Sequence, residues 1–498
     1  MLEKLAKQTA VYGISTIVVR FLSYLLTPFY TRVFGPETYG IVTDVYALIP
    51  FALVLLSMGM ESSYFRFAAK AEADGERVGK AKDSPEVKAQ KRRLFASCWG
   101  MSFYAAILFA LLVIGGRSTV AGWMGESYVA HPEYIVWVAL IILFDVWGMM
   151  PFSRLREQGR PGMFVLLKAL NVSTNVALAF LFGFLGLYDS TFGVGWVFVA
   201  NLAASLLTWL VLLTTVDRTL PKVDWALMSV VLVYSLPLLV SGIAGTAGEF
   251  LDRQMIKYLV PEGAMAQLGI YGAITKIAVV MMLFTQMYRL AAEPFFLANY
   301  RKSDFVQMNA AAMKYFLMAS MLIFLVIALF KEFFALIVGR SFREGIFILP
   351  VVLGANVLSG VWLNLSFWYK REERTGLAIR ITGAGVLAAL VANWLLVPRW
   401  GYYGAAWGRF LSEVVMVGVS YALMRRYYPI PYDLKRMGEF VGVALALFLL
   451  GEWAAERIAQ PVLHYGLNVL LLAGYAAYLV WREKIDVKAM AKAVLKRG

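Results

Sequence analysis

The chain has 498 residues, 60% of them hydrophobic and 16% charged, and carries a formal net charge of +15. It is too apolar for a single soluble core and falls among membrane proteins. The basic balance does not signal nucleic-acid binding, because the lysines and arginines are scattered over separate loops and not gathered on one face.

Apolar runs of about 20 residues, each able to cross roughly 30 Å of hydrocarbon as a helix, recur about fourteen times. The predicted spans are 9–30, 38–61, 94–115, 133–152, 163–186, 194–216, 227–249, 265–288, 311–330, 346–369, 377–397, 402–424, 438–456 and 465–482. The fold class expected is therefore all-α and polytopic.

The first run contains "STIVVRFLSYLLTPFY" (15–30) with one cation, Arg20, at its centre. It is full length and lacks a small-residue cleavage site, so a retained helix is expected and not a signal peptide. After the second span, residues 66–93 are rich in Lys, Glu, Ala and Asp, which predicts a solvated, partly disordered excursion. Cys98, the single cysteine, lies in the third span and excludes an intrachain disulfide.

Topology follows from the basic residues, which stay on the cytoplasmic side. With both termini inside, the inner segments 65–93, 153–162, 425–437 and 481–498 hold most of the Lys and Arg, and the outer loops are too short to form a domain. In the tail, Lys484, Lys488, Lys492 and Lys496 form one row beside Ile485, Val487, Met490, Val494 and Leu495. That pattern suits either a helix on an anionic leaflet or a solvated basic tail.

Charges inside spans are costly, roughly 3 kcal/mol near the bilayer centre on insertion scales, and normally face a cavity or a partner. With about 1.5 Å of rise per residue, Arg20 lies on the order of 15 Å from the outer surface and Lys276 about 16 Å. An internal ion pair is one reading of each: Asp44 is within reach of an arginine there, and Asp145 or another carboxylate is a candidate partner for Lys276. Asp44 and Asp145 are also the candidates for ion coupling, to H+ or Na+, or for charge balance. Lys168 and Arg380, near helix ends, are expected to snorkel. Arg409 and Glu413 stand i, i+4 and are expected to pair. Glu249, Asp252 and Arg253 at an outer end, and Arg289 and Glu293 at an inner end, are candidate gate residues, with a solvated helix end as the alternative.

A faint repeat is visible. "FGPETYGIVTDVYALI" (34–49) and "LVPEGAMAQLGIYGAITKI" (259–277) share a Pro-Glu turn followed by Gly-Ile at the start of the next helix, six spans apart. This predicts two related six-helix lobes: 1–216 with the charged cytoplasmic loop 66–93, and 217–424, followed by two further helices and the basic tail in 425–498.

These stretches, with "GMESSYFRF" (59–67), "ALIVGRSFREGIFILPVVLGANVLSG" (335–360) and "VPRWGYYGAAWGRF" (397–410), resemble the polysaccharide and O-antigen flippase branch of the multidrug/oligosaccharidyl-lipid/polysaccharide exporter superfamily. The resemblance implies lobes facing a central cavity, alternating access, and export of a polyprenyl-diphosphate-linked oligosaccharide for cell-surface polysaccharide, lipopolysaccharide included. It implies a monomer in the bacterial cytoplasmic (inner) membrane, and it places Arg20 where a basic residue commonly lines the cavity. Segment 66–93 matches no family element. Arg offers a planar fork and Lys a point charge for diphosphate oxygens, so Arg20 and Lys276 are the candidate substrate contacts.

Other readings are a cation-coupled multidrug exporter of the same superfamily, or a membrane-embedded glycan polymerase or ligase. With two histidines, His131 and His464, and no GxxxxGK[ST] sequence, no metal site, cofactor site or ATPase is expected.

Overall fold

The computed structural model describes residues 24–81, 84–215, 219–299, 304–372, 374, 376–458 and 460–484. The predicted first span and the basic tail therefore fall largely outside the described residues, Arg20 among them. The described residues are helical with no strand, and ten helices are long and apolar enough to cross a membrane, or up to 12 when each of two bent pairs counts as one span. The protein is an all-α polytopic membrane protein.

By contacts the chain divides into two compact units, Met1–Gly272 and Ala273–Gly498. In the first, Pro36–Ser57 opens with proline at its first helical position, where a missing N–H is harmless. It ends at Met58 and Gly59, both left-handed (φ 48 and 69), which turn the chain into Met60–Arg77. A Cβ on Gly59 would lie 2.8 Å from the Ser235 carbonyl oxygen, so glycine is required there twice over.

The predicted excursion 66–93 is largely helical in its described residues, 66–81 and 84–93. Met60–Arg77 carries helix through its first half, and Pro85–Gly115 resumes helix after a Ser84 cap that accepts the Val87 N–H at 3.4 Å. Ala68, Ala71 and Gly75 present a narrow small-residue face, and Val87 packs where a Gly75 Cβ would stand 2.6 Å away. Most other described side chains of the segment are exposed, so the excursion is solvated as expected, with close packing confined to this small-residue face.

Glu133–Glu157, Pro161–Phe184 and Gly195–Leu213 pack on one another, and Glu133–Glu157 also packs on Pro85–Gly115. Trp225–Leu259 lies along Pro36–Ser57, with Phe51 stacked on Phe250 at 4.5 Å, and bends by 47° between Val240 and Gly245.

The repeat seen in the sequence is a contact in the structure. A Cβ on Gly40 would fall 2.0 Å from the Met265 carbonyl oxygen, and one on Gly269 would fall 1.9 Å from that of Pro36 and 3.0 Å from Gly40 N. Each motif glycine thus meets the carbonyl four residues before the other, and the two helices touch backbone to backbone.

In the second unit, Val279–Asn299, Phe305–Leu329, Leu349–Arg371, Leu434–Ala455 and Pro461–Glu483 are the principal helices. The 52-residue element Gly376–Tyr427 would be about 78 Å long if straight, more than twice the hydrocarbon core. It is two antiparallel helices folded at Gly401 (φ 55, ψ −135). Gly408 packs on Asn393, Gly385 on Met416, and the Ser412 hydroxyl donates to the Gly385 carbonyl at 2.8 Å. The predicted spans 377–397 and 402–424 are these two arms.

Candidate functional site

Lys276 lies in the last turn of Ala264–Ile277 and is half-buried. Immediately after it, at Ala278, the axis turns by 48° into Val279–Glu293. A broken helix frees carbonyls from their i+4 partners. Here the Asn356 amide donates to the Ala278 carbonyl at 3.3 Å, and its own oxygen accepts from Arg409 at 3.3 Å. Arg409 was expected to face Glu413; it also reaches across to brace the bend beside Lys276.

Asp44 is fully buried on Pro36–Ser57. Tyr128 Oη donates to it at 2.7 Å, Gln254 Nε2 at 2.7 Å and Lys257 Nζ at 2.5 Å, and the Lys257 side chain is only 5% exposed. Sequence spacing did not point to Lys257, which lies beyond the predicted end of its span at residue 249.

Asp145 stands in a different setting. It lines a cavity of about 430 Å³ within the first unit, together with Lys168, Asn171, Ser205, Thr208 and Trp209. The Ser205 hydroxyl is hydrogen-bonded to the carboxylate, and the Lys168 charge acts on it. Lys168, expected to snorkel, lines this cavity with its ammonium 4.2 Å from the Phe152 ring centre. Asn171 Nδ2 donates to Thr208 at 3.1 Å, and farther along Asn201 Nδ2 donates to Tyr46 at 3.4 Å. Lys168, Asn171 and Asn175 recur at i, i+3, i+7 on one helix and Asn201, Ser205 and Thr208 at i, i+4, i+7 on its neighbour. That polar stripe was present in the sequence and passed unnoticed among apolar residues.

On the lining of the cavity Arg156 pairs with Glu61 at 2.7 Å. Lys91 bridges Glu157 and Glu72, the latter at 2.7 Å, and Tyr64 Oη donates to Glu157 at 3.1 Å. The basic loops that set the topology expectation thus carry their own counter-charges.

Of the candidate gate residues, Arg253 lies 3.8 Å from Glu249 and donates to its backbone carbonyl at 2.9 Å. Asp252 is 2% exposed and accepts from Tyr271 at 3.3 Å, so at this residue a solvated helix end is ruled out. Glu293 accepts from Arg289 at 3.3 Å and from Lys370 at 2.6 Å. Among the described residues no three His, Cys, Asp or Glu side chains are grouped to hold a metal ion.

Among the described residues, membrane-crossing helices that bury polar and charged side chains define a polytopic helical membrane protein. Comparison with known proteins agrees. The fold is similar to that of the lipid II flippase MurJ in an inward closed conformation, with a TM-score of 0.71 at 10% identity over 96% of this chain and 100% of that one. It is also similar to the inward-facing conformation of a multidrug resistance MATE family transporter of the MOP superfamily, with a TM-score of 0.64 at 14% identity over 84% and 97%. In sequence, a probable low-salt glycan biosynthesis flippase, Agl15 of Haloferax volcanii, is 20% identical over 438 residues, 87% of this chain and 86% of that protein. Residues 5–299 match the family described as polysaccharide biosynthesis protein, and the chain belongs to that family. The family is thus one of polysaccharide biosynthesis, and the fold is shared with solved flippase and transporter structures.

Proposed function

We propose that the protein is a flippase that moves a polyprenyl-diphosphate-linked oligosaccharide from the cytoplasmic to the outer leaflet by alternating access, for cell-surface polysaccharide synthesis. The observation that carries this reading is membership of the polysaccharide biosynthesis family on a transporter fold. The relative named as a probable glycan biosynthesis flippase supports it. In this reading the functional lobes are 1–216 and 217–424, with 425–498 an addition. The chain acts as a monomer in the bacterial cytoplasmic membrane with both termini inside.

Arg20 and Lys276 grip the diphosphate. Lys276 is suited to this by its place beside a braced helix bend, where an ammonium stands next to irregular backbone in an otherwise apolar span. Glu249, Asp252 and Arg253, and Arg289 with Glu293, form and release gate contacts during the cycle.

The test compares Arg20→Ala, Arg20→Lys and Lys276→Ala with the parent in cells deleted for the native gene, at matched protein levels. Surface glycan and the leaflet holding the precursor are scored. We expect Arg20→Ala and Lys276→Ala to insert normally and strand precursor on the inner leaflet, with flipping reduced at least tenfold, as for loss of a charge-assisted contact worth about 1.4 kcal/mol or more. Parent-like flipping by both variants removes the diphosphate grip. Export of a cationic dye by the purified parent, with no flipping of lipid-linked sugar, replaces the flippase reading with drug export.

A further inference from the structure

We propose that Asp145 is a proton-exchange site, and not a sodium site, through which the pH gradient drives transport. The inference rests on the transport reading above and separates the two carboxylates that sequence alone left equivalent. Asp44 is closed to exchange: it is fully buried, and three donors, one of them the Lys257 ammonium, already occupy its oxygens. Asp145 borders a cavity of about 430 Å³, room for on the order of ten waters. The one other carboxylate lining that cavity, Glu61, is paired with Arg156.

The surroundings are those of a hydrated seam in a membrane-crossing bundle. Asn171, Ser205 and Thr208 line the cavity. The Trp209 Nε1 and Asn175 Oδ1 atoms are buried without a protein partner, a state that water in such a seam relieves. An intramembrane carboxylate served by such a seam can take a proton from hydronium on one side, becoming a neutral acid, and return it to water on the other. One O–H bond forms and later breaks, and no electrons move.

Lys168 decides between the two ions. Lys168 lines the same cavity, with its ammonium 4.2 Å from the centre of the Phe152 ring on that lining, so a sodium ion at Asp145 would share the cavity with an existing positive charge. Sodium, a hard cation, also needs a shell of several oxygens, whereas a proton needs one. The other groups facing Asp145 do not replace these. Gly195–Leu213 carries no titratable side chain, and Met60–Arg77 brings Glu61. Arg156, on the same helix as Asp145, lines the cavity paired with Glu61, whereas no titratable side chain of Pro36–Ser57, Pro85–Gly115 or Arg117–Met124 lines it.

The test uses dicyclohexylcarbodiimide, which adds to protonated carboxylic acids in apolar sites, on the purified full-length protein in vesicles. Adduct at Asp145 is quantified by mass spectrometry from pH 5.5 to 8.5, in sodium or potassium chloride. We expect adduct that declines as pH rises, coincides in the two salts, disappears in Asp145→Asn, and extends to higher pH by about one unit or more in Lys168→Met, where the ammonium is gone. Protection by sodium at fixed pH overturns the proposal in favour of a metal cation. A flat, adduct-free profile in a folded parent overturns it in favour of a structural carboxylate. Should Asp145→Asn fail to fold, Lys168→Met and Ser205→Ala carry the test. In the same vesicles, a fluorescent polyprenyl-diphosphate sugar should flip faster under a pH gradient with the parent and show no such response with Asp145→Asn. If the parent flips no such lipid while Asp145 titrates, the flippase reading fails and the proton site stands.

Discussion

Asp44 and Lys257 show how a charge is kept inside an apolar bundle. Removing one member of a buried pair leaves the other unneutralised, at a cost of about 3–5 kcal/mol, whereas replacing both is often close to neutral. Lys257→Met should therefore lower the melting temperature in detergent sharply, and Asp44→Asn combined with Lys257→Met should recover most of the loss. The resulting coupling energy should exceed about 1 kcal/mol. Strict additivity would show that Tyr128 and Gln254 suffice to hold Asp44. Asp44 was legible in the sequence as a charge needing balance, but its partner was not. The two stand 213 positions apart, and Lys257 itself lowers the hydropathy of its helix end, so the predicted span stops at 249 and leaves the lysine outside. Asp145 was visible for the same reason as Asp44; the seam that distinguishes it is a product of three helices meeting, which no single stretch announces.

The helices were mostly legible and their breaks were not. Periodic apolar runs mark the spans because lipid demands about 20 apolar residues wherever the chain crosses. The fold at Gly401 could be read from "VPRWG", where proline and glycine both interrupt helix. The bend at Ala278 could not, since "KIAVV" contains neither residue and the turn is imposed by Asn356 and Arg409 from other helices. Two substitutions probe these devices. Gly401→Ala places a side chain in a backbone region reserved for glycine and should cost about 1–3 kcal/mol. Gly40→Ala drives a methyl to within 2.0 Å of the Met265 oxygen and should cost a similar 1–3 kcal/mol by forcing two helices apart. Thermal unfolding of each variant in detergent reports the loss, and a change under about 0.5 kcal/mol for Gly40→Ala would mean the crossing relaxes freely.

Orientation in the membrane is open to direct measurement. In a Cys98→Ala background, a cysteine at Ser190, in the turn after Leu187–Asp189, should react with an impermeant maleimide in intact cells. One at Arg426, at the end of Gly376–Tyr427, should react only after permeabilisation. The reverse pattern would invert the proposed topology and with it the proposed direction of transport. The glycine crossing of Pro36–Ser57 and Ala264–Ile277 sets how closely these two helices must hold together. At Gly40 and Gly269 backbone meets backbone, and at Gly272 the Thr43 side chain fills the space a Cβ would take. Dispersion attraction fades over a gap of about 1 Å, so a crossing this close has little tolerance for partial separation.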